Sequence, residues 1–217
     1  MTKKQLGALV AAELEKLYPA AECSLEYQGE AWKLLVMARL SAQCTDARVN
    51  VVSEELFTVF PTLADLAAGD LATLERIVRP CGLYKTKAKS IHETANILME
   101  KHGGEVPETM EELLALPGVG RKIANLMLGD VFGQPNIVTD THCIRICGRL
   151  GFYPESEKTP EKIEKILDKC IEKPIQSDFC HRIVYFGRDI CTARSPKCTE
   201  CPMKSFCKHC ISGKSGI

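Results

Sequence analysis

Leu116-Pro117-Gly118-Val119-Gly120-Arg121-Lys122, followed by Thr139-Asp140-Thr141-His142 with the aspartate eighteen residues beyond the lysine, sets the architecture of this chain. Pro117 pre-sets a turn, and Gly118 and Gly120 permit backbone conformations and close approaches that a Cβ would block. An apolar helix opens directly afterwards, its Ile123, Leu126, Met127 and Val131 recurring at helical spacing. A turn of this kind aims bare amide N–H groups, and the positive end of a helix dipole, at any anion that comes near. On Gly-x-Gly alone, a plain turn between two core helices would read the same way. A lysine in the first helical turn, an aspartate downstream and a cluster of cysteines beyond it point instead to phosphate binding beside an amine nucleophile and a carboxylate.

Outward from the hairpin, apolar residues keep the same three-and-four spacing, as in Leu34, Leu35, Met37, Ala38 and Leu40. Breakers punctuate it at Pro19, Gly29, Pro61, Gly82, Gly103-Gly104, Pro107, Gly133 to Pro135 and Gly151 to Pro160. No segment alternates at period two for long, although Asn136 to Thr139 leans toward β. The expectation is an all-α protein of about ten short helices. With 217 residues, 45% of them hydrophobic and 26% charged, the chain can bury one large core or two modest ones.

The formal net charge is zero, so attraction to a polyanion must come from local patches. One such patch is the C-terminal end, where Arg182, Arg188, Arg194, Lys197, Lys204, Lys208 and Lys214 face only Asp189 and Glu200. Residues Met1 to Tyr18 lack a signal-type apolar core, and no later segment is apolar for long enough to span a membrane. A cytoplasmic, reducing location follows as an expectation, with nucleoid association if the source is bacterial. The twelve cysteines then read as thiols or metal ligands. Four of them, Cys191, Cys198, Cys201 and Cys207, form Cys-x6-Cys-x2-Cys-x5-Cys. Zinc sites usually present two tight Cys-x2-Cys pairs, whereas this set has one, which suits an iron–sulfur cube better. Cys210 lies outside the spacing and reads as a free thiol.

The hairpin, the Asp140-Thr141-His142 element and the four-cysteine spacing together resemble the endonuclease III family of DNA glycosylases, from about Trp32 to Cys207. The resemblance implies a two-domain helix-hairpin-helix glycosylase fold. Residues 25–135 would form a helical domain carrying the hairpin, and residues 1–24 with 136–217 a helical iron–sulfur domain, with the active cleft between them. It implies a [4Fe-4S] cluster on Cys191, Cys198, Cys201 and Cys207, pinning the loop and turning Arg194 and Lys197 toward DNA. It also implies a monomer that acts on double-stranded DNA containing damaged pyrimidines or abasic sites. Lys122 occupies the position of the Schiff-base nucleophile and Asp140 that of its carboxylate partner. The adenine-removing branch of the superfamily lacks lysine there. Thr139 stands where the family more often has an apolar residue.

These residue types suit base excision. Breaking the N-glycosidic bond builds positive charge on the sugar, which a carboxylate stabilises, and an amine can capture C1′ as a Schiff base. Loss of the C2′ proton from that imine then expels the 3′ phosphate. A free lysine, with its pKa of about 10.4, is mostly protonated at neutral pH, but a helix N-terminus and burial both disfavour the ammonium. Read alone, Asp140 is a good helix N-cap and Lys122 a surface lysine or phosphate contact. The alternatives are a non-enzymatic DNA-damage binding protein and a monofunctional glycosylase, and the pair Lys122 and Asp140 argues against both.

For entry into the duplex, Gln43 in Leu40 to Asp46 and Leu83 in Gly82 to Ala88 occupy the family's helix-probing positions. Gln43 would bond the orphaned base and Leu83 would wedge between bases, with Lys85, Lys87 and Lys89 alongside facing the DNA. Gly118, Val119 and Gly120 would hold a phosphate, and His142 is a further candidate phosphate contact. Asp46 reads as the cap of the helix that follows it.

Overall fold

The structure, a computed structural model, describes residues 1–213. Among them are twelve α-helices and two 3-10 turns, with no strand. The stretch 136–139 pairs with no strand among the described residues and runs as a connector into the helix that follows it. None of the described helices is long and apolar enough to cross a membrane.

Contacts divide the chain into two compact units, residues 23–133 and residues 1–22 with those from Gln134 onward. The first unit holds α2 (Ala31–Leu40), α3 (Asp46–Val59), α4 (Leu63–Ala68), α5 (Leu71–Val78), a 3-10 turn (Arg79–Cys81), α6 (Tyr84–Lys101), α7 (Met110–Ala115) and α8 (Arg121–Asp130). Helix α2 buries every residue from Lys33 to Ala38 and Leu40 as well, so it is the central rod of that core. Helix α6 turns Ala88, Ile91, Ala95 and Leu98 inward, a three-and-four stripe, and packs on α4 and α5. The cap of α3 is Thr45, whose Oγ1 accepts from Arg48 N at 3.3 Å. Asp46, expected as the cap, is the first helical residue, where its charge still faces the positive end of the dipole.

The second unit holds α1 (Lys3–Leu17), α9 (Thr141–Leu150), α10 (Pro160–Leu167), a 3-10 turn (Lys173–Ile175), α11 (Gln176–Asp189) and α12 (Lys208–Ile211). Leu6, Val10, Ala11 and Leu14 make one buried face of α1, which packs on α11. Gly7 lies on that face because a Cβ there would come within 2.1 Å of the Cys170 carbonyl oxygen. Helix α9 buries Cys143, Ile146, Cys147 and Leu150, and α11 contributes Phe179, Ile183 and Phe186. Cys143, Cys147 and Cys180 therefore act as small apolar core residues.

Candidate functional site

The hairpin between α7 and α8 is built by two glycines with different duties. Gly118 has φ of +77°, and a Cβ on it would lie 2.3 Å from Arg39 Nε, itself donating to Ser90 Oγ at 2.9 Å. Thr94 Oγ1 donates to the Pro117 carbonyl at 3.2 Å, so α2 and α6 hold the turn from behind. Gly120 has φ of −99° and ψ of 174°, extended backbone that any residue adopts, and a Cβ there would meet nothing within 4 Å. The fold does not require glycine at 120. Its effect is to leave open space over the start of α8, which has no side-chain cap. Val119 is 8% exposed and belongs to the core, and its N–H donates to the Leu116 carbonyl at 3.1 Å. Of the three hairpin residues expected to hold phosphate, Gly118 and Gly120 keep solvent-facing backbone, while Val119 shapes the turn from inside. Lys122, the second residue of α8, is exposed.

Gln43 and Leu83 share an unusual backbone. Among the described residues only Gln28, Gln43 and Leu83 combine a side chain with positive φ, at 57°, 56° and 48°. Such conformations are strained for a side chain as bulky as leucine and cluster where a protein must present a group in a fixed way. Both Gln43 and Leu83 are exposed, Leu83 by 58%. The lysines beside Leu83 divide. Lys85 and Lys89 are exposed, but Lys87, expected to face DNA, is fully buried, its Nζ donating to the carbonyls of Leu40 and Cys81, each at 2.8 Å. The period of the helix explains the difference, since residues four apart share a face and the one midway points the other way. Burial pulls the Lys87 ammonium below the usual lysine pKa.

In the other unit, Asp140 is the N-cap of α9, and its Oδ1 accepts from Cys143 N at 2.7 Å. Its second oxygen takes no part in the cap. Thr139 is 8% exposed and fills a core position as the more usual apolar residue would. His142 Nδ1 lies 3.2 Å from Arg145 Nη2. Arginine can only donate, so Nδ1 is the acceptor and the proton of a neutral ring sits on Nε2. Arg145 also donates to the Cys191 carbonyl at 2.9 Å.

Cys191, Cys198, Cys201 and Cys207 line one hollow, joined there by Cys210 and Arg149. No three His, Cys, Asp or Glu side chains among the described residues converge as a single-ion site needs. A cube asks for something else, four sulfurs distributed around one cavity, each for a different iron, and the thiols present fit it. Arg149 ties the loop down, donating to Cys191 Sγ at 3.4 Å, to the Thr192 carbonyl at 2.8 Å and to the Ala193 carbonyl at 2.9 Å. Arg194 is exposed next to that anchor. The basic patch is thinner than the sequence suggests. Arg182 is buried beside Asp178, Lys197 lies 3.5 Å from Asp189, and Lys214 falls outside the described residues.

Gln43, Leu83, Gly118, Val119, Gly120 and Lys122 thus sit in one unit, and Asp140, His142, Arg194 and the four cysteines in the other. The sequence gives no role to Arg149, and it sets Lys87 among the DNA-facing lysines where the structure buries it. Arg149 had a signal, since with His142 and Arg145 it repeats at three and then four residues along α9, one face of a helix.

Residues 36–173 match the HhH-GPD superfamily of base excision DNA repair proteins, and residues 191–207 match the iron–sulfur binding domain of endonuclease III. The chain is 43% identical over 207 residues to endonuclease III of Synechocystis sp., covering 95% of this chain and 93% of that protein. It is similar to two solved structures, a non-covalent endonuclease III–DNA complex and a trapped endonuclease III–DNA covalent intermediate. Each has a TM-score of 0.91 and 40% identity, with 99% of both chains covered.

Proposed function

Because the chain belongs to the endonuclease III family of helix-hairpin-helix base excision DNA repair proteins, we propose that it is a bifunctional DNA glycosylase and abasic-site lyase. It excises oxidised pyrimidines from double-stranded DNA and nicks the strand by β-elimination. One observation carries the assignment of the nucleophile: Lys122 is exposed in the first turn of α8, two residues after the open, uncapped backbone of Gly120. The hairpin amides hold the DNA phosphate at the N-terminus of α8. The neutral Lys122 amine attacks C1′, the N-glycosidic bond breaks, and the departing base takes up a proton. Asp140 stabilises the positive charge on the sugar and accepts the amine's proton. The C1′–O4′ bond then opens with O4′ taking up a proton, which gives the Schiff base; this loses its C2′ proton as the C3′–O bond breaks, and the downstream strand leaves with a 5′-phosphate end. Gln43 and Leu83 occupy the space of the expelled nucleotide, and His142 and Arg194 contact the backbone.

The [4Fe-4S] cluster, when bound, supplies a covalent cross-link that stiffens residues 191–207, a loop with few apolar residues of its own. Arg149 holds the same loop through its backbone carbonyls. We read the protein as working in the cytoplasm on the nucleoid. Borohydride trapping on abasic-site DNA tests the mechanism. Wild-type protein should form a covalent complex and Lys122→Gln should form none, while still binding the DNA. A mutant that crosslinks at the wild-type yield would assign the nucleophile to another amine.

A further inference from the structure

Two segments of the 23–133 unit end in left-handed, exposed, non-glycine residues, and one buried cation lies behind both. Gln43 follows Leu40 by three residues and Leu83 follows Cys81 by two. The carbonyls of Leu40 and Cys81 are the last of α2 and of the 3-10 turn, groups that a helix cannot satisfy internally. Lys87 Nζ donates to both at 2.8 Å. Its backbone N–H donates to the Leu83 carbonyl at 3.0 Å, so it grips the segment around Leu83 from two directions.

Filling space does not explain a lysine at this position. It is fully buried, and the titratable groups that act on it are the Cys81 and Cys44 thiols and Arg39, with no carboxylate among them. A buried ammonium without a counter-charge is costly, and an apolar side chain of similar length would pack without that penalty. What an apolar chain cannot do is bridge two carbonyls on separate segments. We infer that Lys87 is a positioning residue: its ammonium joins the segments carrying Gln43 and Leu83, so that the two present to the duplex as one rigid probe. This rests on the reading of Gln43 and Leu83 as the groups that enter the helix.

The test is Lys87→Met, which is one atom shorter and removes both hydrogen bonds, with folding checked by thermal melting and by the visible absorbance of the cluster. Strand cleavage is measured on an abasic site in a duplex and on the same site in single-stranded DNA, where there is no orphaned base and no stack to fill. A 2-aminopurine opposite the duplex site reports unstacking. Cleavage in the duplex should fall about tenfold or more, as misplacement of aligned groups does. The single-strand rate should stay within about twofold, the range of a neutral substitution. The 2-aminopurine signal on binding should be lost. Equal losses on both substrates would mean general damage to the fold and would overturn the inference, as would an unchanged duplex rate with the signal retained. If the Met variant does not fold, Lys87→Gln, with two amide donors on a shorter stem, is measured in the same way and judged by the same duplex selectivity. Gln43→Ala and Leu83→Ala separate the layers. If neither changes duplex cleavage or the 2-aminopurine signal, the probe reading itself fails. If they do and Lys87→Met does not, only the positioning role fails.

Discussion

At the scale of single residues, Asp140 carries a cap and a candidate catalytic charge on one carboxylate. Its Oδ1 bonds Cys143 N, which fixes the side-chain rotamer at the head of α9. Asn caps about as well as Asp, with cap losses typically about 1 kcal/mol, so Asp140→Asn should fold with an almost unchanged melting temperature. It should excise a damaged base at least ~100-fold more slowly, the lower range for losing one electrostatic stabiliser. Cleavage at a preformed abasic site should suffer less, because no glycosidic bond remains to break. Single-turnover rates on the two substrates check this, and near-normal base excision would leave Asp140 a cap only. Legibility at this scale followed local chemistry. Lys122 and Asp140 stood out because each sits beside a helix start that the sequence announces. The left-handed backbones of Gln43 and Leu83 were invisible, since nothing in either side chain asks for positive φ and the surrounding packing imposes it. Lys87 was misread because a run of lysines suggests a solvated face, while helical period sends every second one elsewhere.

Among the elements, the α7–α8 hairpin was legible as a motif, yet its two glycines could not be told apart from the sequence. Gly118→Ala should destabilise the protein by about 1–3 kcal/mol, combining left-handed strain with displacement of Arg39. Gly120→Ala should leave stability within about 0.5 kcal/mol, having ordinary dihedrals and open space. It should weaken binding to abasic DNA by about tenfold, through a blocked charged hydrogen bond. Denaturant melts and binding isotherms on both variants decide it, and the reverse pattern would remove Gly120 from the phosphate site. The cysteine loop was legible through spacing alone, whereas its anchor, Arg149, reaches it from a helix more than forty residues earlier in the chain. Purified protein should be yellow-brown with about four irons per chain. Cys198→Ser should lose colour and Cys210→Ser should keep it, while zinc in place of iron after anaerobic handling would reject the cube.

For the molecule as a whole, zero net charge and a sequence pI near 6.9 leave attraction to DNA to few side chains. With Arg182 buried and Lys197 beside Asp189, Arg188, Arg194, Lys204 and Lys208 are the other exposed cations of the C-terminal basic patch. With Lys85 and Lys89 beside Leu83 counted as well, affinity for undamaged duplex should fall with salt at a log–log slope of about −5, near six phosphates. A slope near −2, about two phosphates, would mean that the C-terminal patch does not reach the backbone. Division into units left no sharp mark in composition, because both units are helical and each buries an apolar core of its own. The order of that division has a consequence for how the protein is made. Residues 23–133 are continuous and can fold as they leave the ribosome. Helix α1 must wait for α11, its partner, to be translated. At about 5–20 residues per second, the apolar face formed by Leu6, Val10 and Leu14 stays uncovered for roughly 10–30 s, long enough for a chaperone to hold it. Iron comes later still, since the fourth thiolate is not synthesised until Cys207.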